Sequence, residues 1–179
     1  VTSIGERAFS GCGSLSSVTI PEGVTSIGER AFSGCGSLSS VAIPEGVASI
    51  GKNAFTGCSS LKSITLPSTL ESAYRAFDRD DKVSSASLMW AILAPGMAAV
   101  PEGLFYGCKS LRSVTIPEGV ASIGMCAFDG CESLRSVSIP KGVTSIGRYA
   151  FHGCKSLSSV TIPEGVTSIE YSAFGTCSS

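Results

Sequence analysis

Eight cysteines, one histidine and one short run of carboxylates are the residues of this 179-residue chain from which catalytic or metal chemistry would have to be built. Seven of the cysteines, Cys12, Cys35, Cys58, Cys108, Cys131, Cys154 and Cys177, recur at one position of a repeated pattern. Their closest spacing is 23 residues, whereas a zinc site draws on close pairs such as C-x-x-C, and the chain has none. If successive blocks stack, the cysteines form ladders with rungs inside disulfide Cα reach, so spacing alone excludes no pairing. The position asks for a small buried apolar group, and the reading is of reduced, buried thiols that tolerate either redox compartment. Cys126 stands apart: it replaces a usually charged residue at a variable position and reads as an exposed thiol.

His152 lies in A-F-H-G-C, where other blocks carry Ser10, Ser33, Thr56, Tyr106 or Asp129. A position that varies so freely is expected to hold a plain surface histidine. No nucleophile, base and orienting acid can be assembled around it. The segment Asp78-Arg79-Asp80-Asp81-Lys82 places three carboxylates in four residues, but not at EF-hand spacing. With cations interleaved it reads as a solvated charged bulge. The expectation is a protein without catalytic residues, cofactor or metal.

Hydrophobic residues make up 43% and charged residues 15%, with 13 Lys+Arg against 14 Asp+Glu and a net charge of −1. That balance argues against a nucleic-acid binder and against a polybasic membrane-surface protein. The longest apolar run, Leu88 to Val100, is broken by Pro95-Gly96 and falls short of the about 20 residues a spanning helix needs. The opening V-T-S-I-G-E-R has no targeting core. A soluble chain with no membrane insertion is expected; a clipped mature protein or a fragment of a longer one would read alike.

The elements that position these residues come from internal repetition. The blocks are 1–23, 24–46, 47–69, an irregular 70–96, then 97–119, 120–142, 143–165 and a partial 166–179. Their consensus is V-x-x-I-G-x-x-A-F-x-G-C-x-S-L-x-S-V-x-I-P-x-G. From Val18 to Ile20 apolar and polar residues alternate, which is a half-buried strand. Pro21 ends it and E-G turns the chain. Val24 and Ile27 begin the return side, Gly28 breaks it, and Ala31-Phe32 dips back into the core. At most one helical turn fits around E-R-A-F. One block cannot bury its apolar side alone, but stacked blocks can. Stacking predicts an internal spine of Phe9, Phe32, Phe55, Phe128, Phe151 and Phe174.

The run Leu15-Val18-Ile20-Pro21-Val24-Ile27-Gly28-Ala31-Phe32-Cys35 resembles the BspA-type leucine-rich repeat. The resemblance covers nearly the whole chain. It implies a leucine-rich-repeat solenoid of the α/β class, predominantly β with little helix, a curved right-handed coil with a parallel strand ladder on its concave face. It also implies a cell-surface or secreted protein that binds other proteins, and it brings no catalytic residues. Block 70–96 departs from the pattern, lacking both the Gly-Cys pair and the I-P strand end.

On the strand face, the outward pairs Ser17/Thr19, Ser40/Ala42, Ser63/Thr65, Ser113/Thr115, Ser136/Ser138 and Ser159/Thr161 form a surface of short hydroxyls. An ice-binding face would require an unbroken, flat threonine ladder. This one is interrupted by serine and alanine, and its short side chains keep a sheet soluble and open to a partner. The irregular block carries the only tryptophan, Trp90, beside Leu88, Met89, Ile92 and Leu93. Its extra length predicts that Ile92 or Leu93 fills the core while one or two apolar side chains are displaced outward. Met89, Trp90, Ser17, Thr19, Thr65, Thr115 and Thr161 are thus the candidate protein-binding residues. The expected function is a non-enzymatic protein-binding solenoid of the surface-adhesion or scaffold type. The alternative is a structural subunit embedded in a larger assembly. Neither Val1 nor Thr176-Cys177-Ser178-Ser179 resembles a polar cap, so end-to-end packing or membership of a larger complex is also expected.

Overall fold

Alternating residues and frequent Pro-Glu-Gly turns give each block two short extended pieces, and the blocks stack so that like pieces pair with like. The computed structural model describes residues 1–77 and 87–177. Among these it forms thirteen strands, numbered along the chain, and no helix. The S-I pieces build one ladder from β1 (Ser3–Ile4), β2 (Ser26–Ile27), β4 (Ser49–Ile50), β7 (Ala99–Val100), β9 (Ser122–Ile123), β11 (Ser145–Ile146) and β13 (Ser168–Ile169). The S-V-x pieces build the other from β3 (Ser40–Ala42), β5 (Ser63–Leu66), β6 (Trp90–Leu93), β8 (Ser113–Thr115), β10 (Ser136–Ser138) and β12 (Ser159–Thr161). All pairing is parallel, with the same block position opposite itself, as in Ser26↔Ser49 and Val41↔Ile64. The molecule is a parallel β-solenoid.

Neither ladder runs unbroken. The first continues from β4 only as the bridge Ser49↔Ser72 and resumes at β7. The second pairs β3-β5-β6-β8 and, separately, β10-β12.

A third side is held by backbone bonds between turns. The amide of Phe32 donates to the Ala54 carbonyl at 2.8 Å, and that of Phe128 to Ala150 at 2.7 Å. Just before each such pair, one residue takes a left-handed conformation: Arg30 at φ 54°, Asn53 at 59°, Tyr149 at 57°. The helical turn allowed at E-R-A-F is therefore absent, because a positive φ reverses the chain. Only Gly103 meets that demand with a glycine.

The core is a column of rings. Phe9, Phe32, Phe55, Phe77, Phe105, Phe128, Phe151 and Phe174 stack in order, with the tightest centroid separation, 5.0 Å, between Phe128 and Phe151. The widest, 6.0 Å, lies between Phe77 and Phe105 at the irregular turn. Eight rings stand where six were expected, because Ala76-Phe77 and Leu104-Phe105 preserve the dip into the core. Gly28, Gly51, Gly124 and Gly147 serve close approach rather than strand breaking. A Cβ on Gly51 would sit 2.4 Å from the Glu29 amide nitrogen, and on Gly147 2.7 Å from that of Met125. Two equivalent positions carry larger residues: Pro101, which follows the irregular turn, and Glu170, whose carboxylate instead accepts the Arg148 amide hydrogen at 2.9 Å.

The cysteines of the ladder are thiols, and Cys35, Cys58, Cys131 and Cys154 are buried. Each donates to the carbonyl of the phenylalanine one turn back, as Cys58 Sγ does to Phe32 at 3.2 Å and Cys154 Sγ to Phe128 at 3.3 Å. The site thus uses cysteine as a small hydrophobe that also satisfies an inward carbonyl. Burial pushes the Cys58 and Cys154 thiols up to about 12 from 9.0. An acid with a raised folded-state pKa binds its proton more tightly in the native chain than in the unfolded one. Stability therefore holds below pH 9 and falls as pH rises from 9 toward 12. Chemical denaturation midpoints at pH 8 and pH 10.5 check this, and iodoacetamide at pH 8 should modify the exposed Cys12 while Cys58, Cys131 and Cys154 react only on unfolding. Equal rates for all of them would refute the burial of the ladder.

Candidate interaction face

Parallel pairing with β5 fixes which residues of the irregular block point inward. Trp90 lies opposite Ser63, Ala91 opposite Ile64, Ile92 opposite Thr65 and Leu93 opposite Leu66. Ala91 and Leu93 are buried, while Trp90 is 46% and Ile92 55% exposed. Leu93 fills the core as anticipated, and the displaced apolar side chains are Trp90 and Ile92. The next turn presents Ser113 to Trp90 and Thr115 to Ile92. A tryptophan and an isoleucine thus stand among short hydroxyls on a strand face whose other outward residues are serine, threonine and Ala42.

Met89 is half-buried at the start of this strand. It lines a small cleft of about 170 Å³ with Ser87, Ser110, Arg112 and Ser133. The structure therefore brings Met89, Trp90, Thr65 and Thr115 together. Thr161 is exposed on β12, three rungs past Ile92 and roughly 14 Å away at ordinary strand spacing. Ser17 and Thr19 are exposed but lie outside any strand, ahead of β3. The face has two parts that sequence reading did not single out. One is Ile92. The other is the column of residues immediately before each strand, which places Lys62, Met89, Arg112 and Arg135 on successive rungs. Their backbones are bonded in turn, Met89 N–H to Lys62 O at 2.9 Å, Arg112 N–H to Met89 O at 2.9 Å and Arg135 N–H to Arg112 O at 3.4 Å. Reading each block position down the repeats would have found it.

The side chains that resembled chemical groups are used for fastening. His152 is half-buried, with Nδ1 3.0 Å from Asp129 Oδ1 and Nε2 3.4 Å from Thr176 Oγ1. The surface histidine expected from sequence is instead a tie across three turns, because its ring lies between Asp129 at the same position of the preceding turn and Thr176, one residue beyond that position, in the following turn. Cys126 is half-buried rather than exposed, and its thiol is pushed up by burial and then by the Asp129 carboxylate. The charged bulge Asp78–Lys82 lies outside the described residues. Among the described residues no three histidine, cysteine or carboxylate side chains gather as a metal site, and no helix is long and apolar enough to cross a membrane.

All four tyrosines hold arginines. Arg75 lies 4.1 Å over the Tyr106 ring and 5.7 Å over Tyr74, and Arg148 lies 4.9 Å over Tyr149 and 5.1 Å over Tyr171. Such stacking holds each guanidinium over a ring face.

The family model of the BspA type leucine rich repeat region matches residues 1–92 and 98–179, in 6 copies. A solved leucine-rich repeat protein of Bacteroides ovatus superimposes with a TM-score of 0.72 at 30% identity, over 98% of this chain and 50% of that one. A leucine rich cell surface protein of Faecalibacterium prausnitzii does so at 0.56 and 31%, over 99% and 55%. The T. pallidum leucine rich repeat protein gives 0.64 and 31%, over 99% and 71%. The chain spans about half the length of the first two. No curated protein is significantly similar.

Proposed function

This chain belongs to the BspA-type leucine-rich repeat family, and from that premise we propose that it is a non-enzymatic protein-binding module of the adhesion or scaffold type, which receives its partner on the strand face. The observation that carries the reading is the pair Trp90 and Ile92, held outward in register among Ser63, Thr65, Ser113 and Thr115. Burying roughly half of a tryptophan and an isoleucine on docking supplies the anchor that interface centres are enriched in. Trp90 is the sole tryptophan, so its emission reports on this face alone. In the isolated chain the emission should be red-shifted and readily quenched by acrylamide. A blue-shifted, quench-resistant emission would mean that the irregular turn covers its own tryptophan, and the reading would fail. Placement at the cell surface is part of the same proposal; it is supported by the family and by the description of the F. prausnitzii relative as a cell surface protein.

A further inference from the structure

Most cations of this chain are already used. Arg7 pairs with Glu6 at 3.7 Å and Arg30 with Glu29 at 3.5 Å. Lys109 and Lys155 share Glu132 at 3.5 and 3.1 Å. Arg75 and Arg148 stack on tyrosines, and Lys52 is engaged as well. Four described cations, Lys62, Arg112, Arg135 and Lys141, have no ion pair, side-chain hydrogen bond or ring contact among the described residues. Three of these four occupy one column, on the rungs that flank Met89, immediately beside Trp90. All three are exposed. The far edge of the same face, beyond the strands, carries Glu22, Glu45, Glu118 and Glu164, while Ser68, Pro95 and Lys141 hold that position on the rungs of Lys62, Met89 and Arg135.

A face that is basic along one edge and apolar at its centre specifies the charge of what it receives. We propose that the strand face binds an acidic protein segment lying across the strands, along the solenoid axis, with an apolar side chain against Trp90 and Ile92 and carboxylates against Lys62, Arg112 and Arg135. The rungs set the match: Lys62 and Arg112 are two rungs apart, roughly 10 Å, and Arg135 follows one rung further. The cleft beside Met89 suits one of those carboxylates, since Ser87, Ser110 and Ser133 bring hydroxyls to the side of Arg112. Arginine there offers a two-pronged donor to a carboxylate, which a lysine would not. This inference rests on the strand face being the binding face.

The test is selection of a random-peptide display library on the immobilised chain, followed by titration of the selected peptides while Trp90 emission is read. Peptides that pair aspartate or glutamate with an apolar residue, shift Trp90 emission and weaken with added salt are expected. Replacing Arg112→Glu and Arg135→Glu together should reduce their affinity roughly tenfold or more. Lys141→Glu, on the opposite edge, should leave it unchanged. Thermal melts of the variants, all at exposed positions, confirm that they fold. Selected peptides that are neutral or basic yet still shift Trp90 would overturn the acidic partner and leave the binding face standing. Peptides that bind without moving Trp90 emission would overturn both. Equal losses from Lys141→Glu would show attraction by net charge only, and would also sink the proposal.

Discussion

Gly51→Ala is expected to cost about 3 kcal/mol of stability, more than the addition of one methyl group ordinarily does. The new Cβ would meet the Glu29 amide nitrogen at 2.4 Å, the Gly28 carbonyl carbon at 2.6 Å and the Glu29 Cα at 2.8 Å. These are backbone atoms of the preceding turn, and a rotamer change cannot move them. That turn is pinned on one side by the pairing Ile27↔Ile50 and on the other by the Arg30 amide donating to the Lys52 carbonyl at 3.1 Å. Relief therefore requires prising two turns apart and weakening the bonds that flank the contact. The control is Gly5→Ala, at the same block position in the first turn, where no atom lies within 4 Å of the added Cβ. It should be neutral within about 0.5 kcal/mol. Urea midpoints for the pair give the answer. Equal shifts would mean that turn spacing is not set by this glycine.

Phe151→Ala should be larger still, roughly 3–5 kcal/mol. Its ring is fully buried and stacks on Phe128 at 5.0 Å and on Phe174 at 5.2 Å. Truncation removes the transfer free energy of the ring and leaves a void between two rings, which the hydrogen bonds of the turns on either side hold open. The cost adds to the loss of two aromatic contacts. Phe9→Ala, by contrast, removes a ring that is 36% exposed and stacks only on Phe32. It should cost less than half as much. A loss under about 1 kcal/mol for Phe151→Ala would contradict its place in the column.

The repeat made the architecture legible because burial recurs at the same block positions. Val18, Ile20, Val24, Ile27, Ala31 and Phe32 announce the inward side, and seven further copies leave little freedom of register. Phe77 was missed because the irregular block carries no Gly-Cys pair after it. The left-handed residue was missed for a different reason. Arg30, Asn53, Cys126 and Tyr149 share no side-chain property, since the position is specified by backbone direction alone. The glycine after each isoleucine read as a strand breaker, while its purpose is contact with a neighbouring turn, a demand no single block displays. On the candidate face, Met89 and Trp90 stood out by residue type. Lys62, Arg112 and Arg135 did not, because each is an ordinary surface cation until the pairing sets them on neighbouring rungs.

The interruptions of the two ladders fall at different heights. One lies between Ser72 and β7, the other between β8 and β10, where the Arg135-to-Arg112 bond is stretched to 3.4 Å. Like courses of brick laid with offset joints, the coil has no cross-section at which both ladders part together, and the ring column crosses both levels. A tensile load on the rod is carried past each joint by the side that is still continuous. Force applied along the described stack therefore finds no level at which both sides give way at once.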